Sequence, residues 1–78
     1  MNYIATFHTH LSALRTAERM KQASVPARMT PVPRRLSSSC GTCVRYEADT
    51  PCRELLDADF EAVYRTDGDS DTLLFDNP

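Results

Sequence analysis

Two cysteines stand three positions apart in the stretch Pro31–Cys43, which reads PVPRRLSSSCGTC. Cys40 follows a run of serines, and Arg34 and Arg35 precede that run. Cysteines react as thiolates, so the pKa of about 8.5 of a free cysteine has to be lowered for chemistry at neutral pH. Arginine side chains, hydroxyl groups and the backbone amides around Gly41 are groups that stabilise an anion. The stretch therefore predicts a reactive thiol.

Further residues complete the candidate thiol site. Gly41 allows the backbone to turn tightly beside the sulfur of Cys40. His8 and His10 are candidate proton partners, as in cysteine–histidine activation. In the predicted site, Cys40 and Cys43 provide the reacting thiols, and His8 and His10 are the proton partners. The groups that stabilise the thiolate are Arg34, Arg35, Ser38, Ser39 and Gly41.

Dithiol redox chemistry is an alternative to a single reactive thiol. Cys40 and Cys43 have the CxxC spacing that lets one thiol resolve a mixed disulfide formed by the other. The expected context is a loop that runs into a strand, where residues three apart lie on opposite faces and about 10 Å apart. A disulfide between these two cysteines therefore needs a sharp turn over residues 40–42.

A zinc site is a third alternative. Three thiolates and one imidazole form a known tetrahedral set. The side chains available for it are Cys40, Cys43 and Cys52 with either His8 or His10. A single CxxC without a second metal-binding pair is a weak pattern, so no metal is part of the favoured prediction.

Length and composition bound the class of protein. The chain has 78 residues, of which 41% are hydrophobic and 26% are charged, and this predicts one soluble domain without a deep catalytic cavity. No apolar run approaches the roughly 20 residues of a membrane span, and the N-terminus does not resemble a signal peptide. Three cysteines are an odd number, unlike the even sets of small secreted scaffolds. We therefore expect a cytoplasmic protein that does not associate with membranes.

Charge is distributed unevenly along the chain. Residues 1–46 contain seven lysines and arginines and one acid, whereas residues 47–78 contain two arginines and ten acids. Two solvated faces that attract each other in the fold would explain this pattern. A basic surface around Cys40 that attracts an anion or an acidic partner is the alternative explanation. The basic residues are not interleaved with aromatic residues, so we expect no nucleic-acid partner.

Two helices are predicted by apolar spacing and by capping residues. The first begins after Thr9 or Ser12 and ends before Ser24, because Pro26 disfavours a helical conformation at Val25. Its apolar stripe, which must pack on a sheet, consists of Leu11, Leu14, Ala17 and Met20. The second helix is short and begins at Pro51, because a missing N–H is tolerated in the first helical turn.

Four strands complete the prediction, over residues 2–7, 27–32, 43–48 and 61–66. The resulting order, β-α-β-β-α-β, is the ferredoxin-like arrangement. We therefore predict an α+β sandwich in residues 1–66, with both helices on one face of a four-stranded antiparallel sheet. Residues 67–78 are predicted to be an acidic, flexible tail. Domains of this kind often dimerise, so a homodimer and a purely structural interaction role both stay open.

Two motifs, PVPR at residues 31–34 and SSSCG at residues 37–41, resemble a small family of bacterial selenium/sulfur carrier-like proteins. Leu14, Arg15 and Glu18 match the helix core of that family. The resemblance covers about residues 3–46 and implies a ferredoxin-like domain whose reactive cysteine is the one in SSSCG. Cys43 and the two histidines depart from the family pattern.

The resemblance implies a carrier more than a true enzyme. Cys40 would accept sulfur or selenium from a donor such as a cysteine desulfurase, hold it as a persulfide or perselenide, and pass it to an acceptor enzyme without another cofactor. Arg34 or Arg35 would stabilise the terminal anion, and Cys43 would release the atom by attacking the persulfide. The alternatives are a small dithiol redox protein or thiol sensor, and a non-catalytic zinc-binding or interaction domain.

Overall fold

A computed structural model gives the structure of residues 1–77, which form one antiparallel sheet and one α-helix. The strands are β1 (Asn2–Phe7), β2 (Ala27–Pro31), β3 (Thr42–Glu47), β4 (Phe60–Asp67) and β5 (Ser70–Asp76), and the helix is α1 (His10–Gln22). The order across the sheet is β2-β3-β1-β4-β5, and every neighbouring pair is antiparallel. β2 and β5 are therefore the two edges, and β1 lies at the centre.

The predicted ferredoxin-like sandwich, with two helices on a four-stranded sheet, is wrong. Residues 1–77 contain one α-helix and five strands. The segment expected to form the second helix contains only a three-residue 3₁₀ turn, Arg53–Leu55. Most of the segment expected to be a tail forms β5, and Pro78 at its end lies outside the described residues.

Local hydrogen bonds explain why the second helix does not form. Cys52 has a φ of 54°, a left-handed conformation that a right-handed helix cannot contain. Its N–H donates to the Thr50 hydroxyl at 3.3 Å, a local bond that competes with helix formation. The Asp57 N–H donates to the Thr16 hydroxyl of α1 at 2.9 Å, which holds the segment against that helix.

β5 is added to the sheet by a tight hairpin and an aromatic contact. Gly68, with a φ of 62°, occupies the first central position of the two-residue turn between Asp67 and Ser70. Phe75 packs edge-to-face on Phe60, with ring centroids 5.7 Å apart. The Arg53 guanidinium lies 4.6 Å from the centroid of the Phe75 ring, so the 3₁₀ turn also contacts this strand.

The sheet is covered on both faces. The face that packs against α1, called the helix face, carries the main core residues Tyr3, Ala5, Phe7, Val44, Tyr46 and Val63. The opposite face, called the loop face, carries Ile4, Thr6 and Cys43, which are also fully buried. The connection between β2 and β3, residues 32–41, crosses towards β4 and β5 and supplies the cover of the loop face.

α1 packs on the sheet through small side chains. Thr9 caps it by accepting the Ser12 N–H at 3.1 Å, one of the two predicted caps. Its buried residues are Ser12, Ala13, Thr16 and Met20. Small residues let the helix approach the sheet closely, and Asp59 accepts the Ser12 hydroxyl at 2.9 Å.

Leu11 and Leu14 are exposed, so the prediction that they belong to the buried stripe of α1 is wrong. Within residues 1–77, no helix is long and apolar enough to cross a lipid bilayer.

The C-terminal end of α1 is a Schellman motif. The Val25 N–H donates to the Met20 carbonyl at 2.8 Å, and the Ser24 N–H donates to the Lys21 carbonyl at 3.1 Å. Ser24 has a φ of 60°, a region in which the Cβ of an L-residue is crowded and glycine is favoured. The Cβ of Ser24 therefore brings local strain to an otherwise regular helix end.

We expect Ser24→Gly to raise the free energy of unfolding by about 1 kcal/mol, because it removes this strain and keeps both capping hydrogen bonds. Urea denaturation followed by circular dichroism measures the change. Ser24→Ala keeps the crowded Cβ and is the matched control, for which we expect no gain. Equal stability of the glycine and alanine variants would contradict the explanation.

Candidate thiol site

Cys40 lies near the end of the 32–41 loop, two residues before β3. Its side chain is half-buried and packs against the helix-face core, and its thiol donates to the Thr42 carbonyl at 3.4 Å. Gly41 has a φ of 74° and no heavy atom within 4 Å of the position of a Cβ, so the turn itself requires glycine. The Val32 N–H donates to the Gly41 carbonyl at 3.0 Å and closes the base of the loop.

Glu61 of β4 holds the serines that precede Cys40. Its Oε1 accepts the Ser38 hydroxyl at 2.9 Å and the Ser39 amide at 3.0 Å, and its Oε2 accepts the Ser39 hydroxyl at 2.8 Å. The Phe7 carbonyl, at 3.0 Å, is a second acceptor for the Ser38 hydroxyl. Hydrogen bonds to an ionised carboxylate are stronger than neutral ones. The backbone is therefore fixed immediately before the thiol.

The ionised state of Glu61 depends on the loop that it holds. Burial has the largest single effect and favours the neutral acid, but the hydrogen bonds from the Ser39 amide and from the two serine hydroxyls outweigh it together. The pKa of Glu61 is consequently lowered. His8 Nδ1 lies 3.5 Å from Glu61 Oε2 and adds a favourable charge when it is protonated. His8 thus contacts the site through Glu61 and, at 3.5 Å, through the Ser39 hydroxyl.

Arg35 is engaged by Asp71 of β5. Its Nε and Nη2 donate to the two carboxylate oxygens, the second at 3.3 Å. These hydrogen bonds lower the pKa of Asp71 and raise that of Arg35. Asp71 lies in the sheet row of Thr66 and Asn2, whereas the loop rejoins β3 near Thr6, roughly 13 Å along the strands. The Arg35–Asp71 pair thus fixes the beginning of the 32–41 loop, far from the end of the loop that carries Cys40.

Arg34 and His10 lie at the surface. Arg34 is exposed next to the tied Arg35. His10, the first residue of α1, places its Nδ1 3.4 Å from the Thr42 hydroxyl. Because the Cys40 thiol donates to the carbonyl of this same threonine, Thr42 links the beginning of α1 to the thiol.

Cys43 faces away from Cys40. It is fully buried on the loop face, where its sulfur lies 3.3 Å from the Thr30 hydroxyl and 3.8 Å from the Pro31 carbonyl. Cys40 contacts the core of the other face. A disulfide between them would require Cys43 to leave its buried position.

Cys52 is separate from both. It is buried in the helix-face core, and its thiol donates to the Thr50 carbonyl at 3.4 Å. Across residues 1–77 the cysteines are free, and no group of three or more histidine, cysteine or acidic side chains is placed to hold a metal ion. The structure therefore does not assemble the zinc set considered from the sequence.

The segment that shapes this thiol site also matches a known family. Residues 2–57 match the model of a family described as "Putative Se/S carrier protein-like". The chain belongs to this family. The match confirms the resemblance to Se/S carrier-like proteins, and it includes Cys40 and the whole 32–41 loop. It ends before β4 and therefore before Glu61. No curated protein and no solved structure is similar enough to the chain to count as a relative.

Glu61 is the site residue that the sequence analysis missed. An acid at the start of an apolar strand is a weak local signal. Its partners, Ser38 and Ser39, lie 23 and 22 positions away, and no spacing rule connects residues at such a separation. Asp71 was missed for the same reason, since the chain around it was interpreted as a tail.

We expect Glu61→Ala to loosen the loop next to Cys40, because the carboxylate accepts three of its hydrogen bonds. Amide hydrogen exchange at Ser39 should become at least about tenfold faster, the effect of losing somewhat more than 1 kcal/mol of local stability. Glu18→Ala, at an exposed acid of α1, is the matched control and should leave this amide unchanged. Unaltered exchange at Ser39 in the Glu61 variant would show that the anchor does not hold the loop.

The contribution of Glu61 to the free energy of unfolding should also depend on pH. Because the pKa of Glu61 is lower in the folded than in the unfolded chain, its stabilising contribution is complete above the ordinary carboxyl pKa of 4.5. The contribution is lost as the pH falls through the lowered folded value. The difference in unfolding free energy between wild type and Glu61→Gln should therefore be constant above about pH 4.5 and shrink below it. Urea denaturation over a pH series tests this, and a difference that widens in acid would contradict it.

Proposed function

We propose that the protein is a sulfur or selenium carrier and that Cys40 bears the transferred atom as a persulfide or perselenide. Membership of the Se/S carrier-like family supports this function, since the matched segment contains Cys40. The observation that carries the proposal is accessibility. Cys40 is partly exposed on a loop, whereas Cys43 and Cys52 are 0% and 7% exposed. Of the three cysteines, Cys40 is therefore the one best placed to meet a donor protein.

The transfer step needs no external oxidant. The Cys40 thiolate attacks the terminal sulfur of a persulfide on a donor protein, such as a cysteine desulfurase, after its proton has passed to solvent. The S–S bond of the donor breaks, a new S–S bond forms on Cys40, and the donor cysteine leaves as a thiolate. Delivery repeats this exchange, with an acceptor nucleophile attacking the terminal atom. Transfer of selenium as a perselenide breaks and forms the corresponding S–Se bonds and likewise needs no external oxidant.

The surroundings of Cys40 suit an exposed anionic cargo. His10, whose Nδ1 lies 3.4 Å from the Thr42 hydroxyl, is exposed at the surface, and Arg34 is an exposed cation of the same loop. Arg35 is engaged by Asp71, so Arg34 is the arginine that we assign to the terminal anion. The loop stays in place when the cargo changes, because its anchor is Glu61 rather than the sulfur.

Release by an internal thiol is not part of the proposal. Cys43 would have to leave a fully buried position on the loop face to reach a persulfide on Cys40. The proposed carrier therefore works with one thiol and relies on its acceptor for release.

Incubation with a cysteine desulfurase and cysteine should add the mass of one sulfur atom to the wild-type protein, as measured by intact-mass spectrometry without reductant. Cys40→Ser should abolish the gain, because the attacking sulfur is lost. Cys43→Ala should retain it and serves as the control. A gain that persists in Cys40→Ser would refute the proposal, and a loss of two hydrogens that requires both cysteines would favour dithiol redox chemistry instead.

A further inference from the structure

Two leucines of α1 are exposed although the helix packs on a sheet. Leu11 is 52% and Leu14 is 39% exposed, while the small neighbours Ser12 and Ala13 are buried. Met20 is the only larger apolar side chain that the described part of α1 buries. The helix therefore turns its leucines to the surface and its small residues to the core, the reverse of what burial of apolar area alone would select.

Leu14 is linked to the thiol through His10 and Thr42. Leu14 follows His10 by four residues, so their Cβ atoms lie about 5–6 Å apart on one side of the helix. His10 Nδ1 lies 3.4 Å from the Thr42 hydroxyl, and the Cys40 thiol donates to the Thr42 carbonyl at 3.4 Å. A partner that covers Leu14 and His10 therefore lies next to Thr42, the residue whose carbonyl accepts the hydrogen bond of the thiol.

The charged residues of α1 are mostly basic. Arg15 and Lys21 are exposed, and neither of them forms an ion pair within residues 1–77. Glu18 is the one acid of α1. A symmetric dimer through this surface would bring the arginines of two copies together, which disfavours a second copy of the chain. The surface instead complements a partner that combines apolar and acidic side chains.

We propose that Leu11, Leu14 and Arg15, called the α1 surface, are the docking site for the protein that donates sulfur to Cys40. The donor presents an apolar side chain flanked by acidic side chains. The donor is a better electrostatic match than the acceptor, because the donor brings an anionic persulfide to the basic surface, whereas the acceptor meets a carrier that already bears that charge. This inference rests on the proposed carrier function.

The test measures the rate of sulfur transfer from a cysteine desulfurase at increasing concentrations of the carrier. In Leu11→Gln/Leu14→Gln the KM for the carrier should rise at least about tenfold, the typical loss of a central apolar anchor. Modification of Cys40 by inorganic polysulfide should stay unchanged, since it needs no docking. Arg15→Glu should also raise the KM, and added salt should raise the KM of the wild type.

β5 offers a matched control. Leu73 and Leu74 are 51% and 37% exposed, close to the values of the α1 leucines. Leu73→Thr/Leu74→Thr should leave the KM unchanged, and thermal unfolding confirms that both double variants are folded. A wild-type KM in the α1 variant, or equal losses in both, would overturn the docking site alone. If the wild type gains no sulfur from the desulfurase although polysulfide modifies Cys40, the carrier function fails, and this inference with it.

Discussion

Glu61 fixes the 32–41 loop to β4, the strand that pairs with the central strand β1. The loop contains no helix or strand of its own. Ordering each loop residue costs about 1–2 kcal/mol of backbone entropy, so a ten-residue connection needs fixed contacts to hold one conformation. The carboxylate supplies three of these contacts, and the Arg35–Asp71 pair supplies a second attachment. The position of Cys40 follows from these two attachments and from the turn at Gly41.

The division of the cysteines between the two faces of the sheet decides which chemistry the site suits. A CxxC pair in a loop is a dithiol only when both sulfurs reach the same side. Here the first residue of β3 follows Gly41 directly, so Cys43 is already subject to strand alternation and lies beside Thr6 on the loop face. Cys40 lies before β3, so strand alternation does not determine the direction of its side chain. One accessible sulfur and one buried sulfur are the result.

Local patterns predicted those parts of the fold that local forces determine. Thr9 caps α1 through a hydrogen bond to a residue three positions away, and four of the strands begin and end within one residue of the predicted positions. The motif around Cys40 identified the family because its residues are contiguous in the chain. The β4–β5 hairpin was also marked in the sequence, since Gly68 between two aspartates is typical of a tight turn, but its acidic residues were interpreted as a tail.

The errors have a common cause, which is contact between distant segments. Thr16 of α1 binds the Asp57 amide, and this bond helps to prevent the helix expected after Pro51. Helical spacing groups the leucines of α1 into one stripe, but it cannot tell whether that stripe faces the sheet or the solvent. Ser12 faces inwards because Asp59, 47 positions later, accepts its hydroxyl. The spacing of apolar residues along the chain does not indicate contacts of this kind.

The position of the loop attachments along the chain also affects how the protein folds during synthesis. Domains form as their segments leave the ribosome, from the N-terminus onwards. The 32–41 loop is synthesised before Glu61 and Asp71, the two residues that hold it in place. β1 likewise waits for β4 before its second edge is paired. A nascent chain therefore holds Cys40 without these two attachments until Glu61 and Asp71 have also left the ribosome.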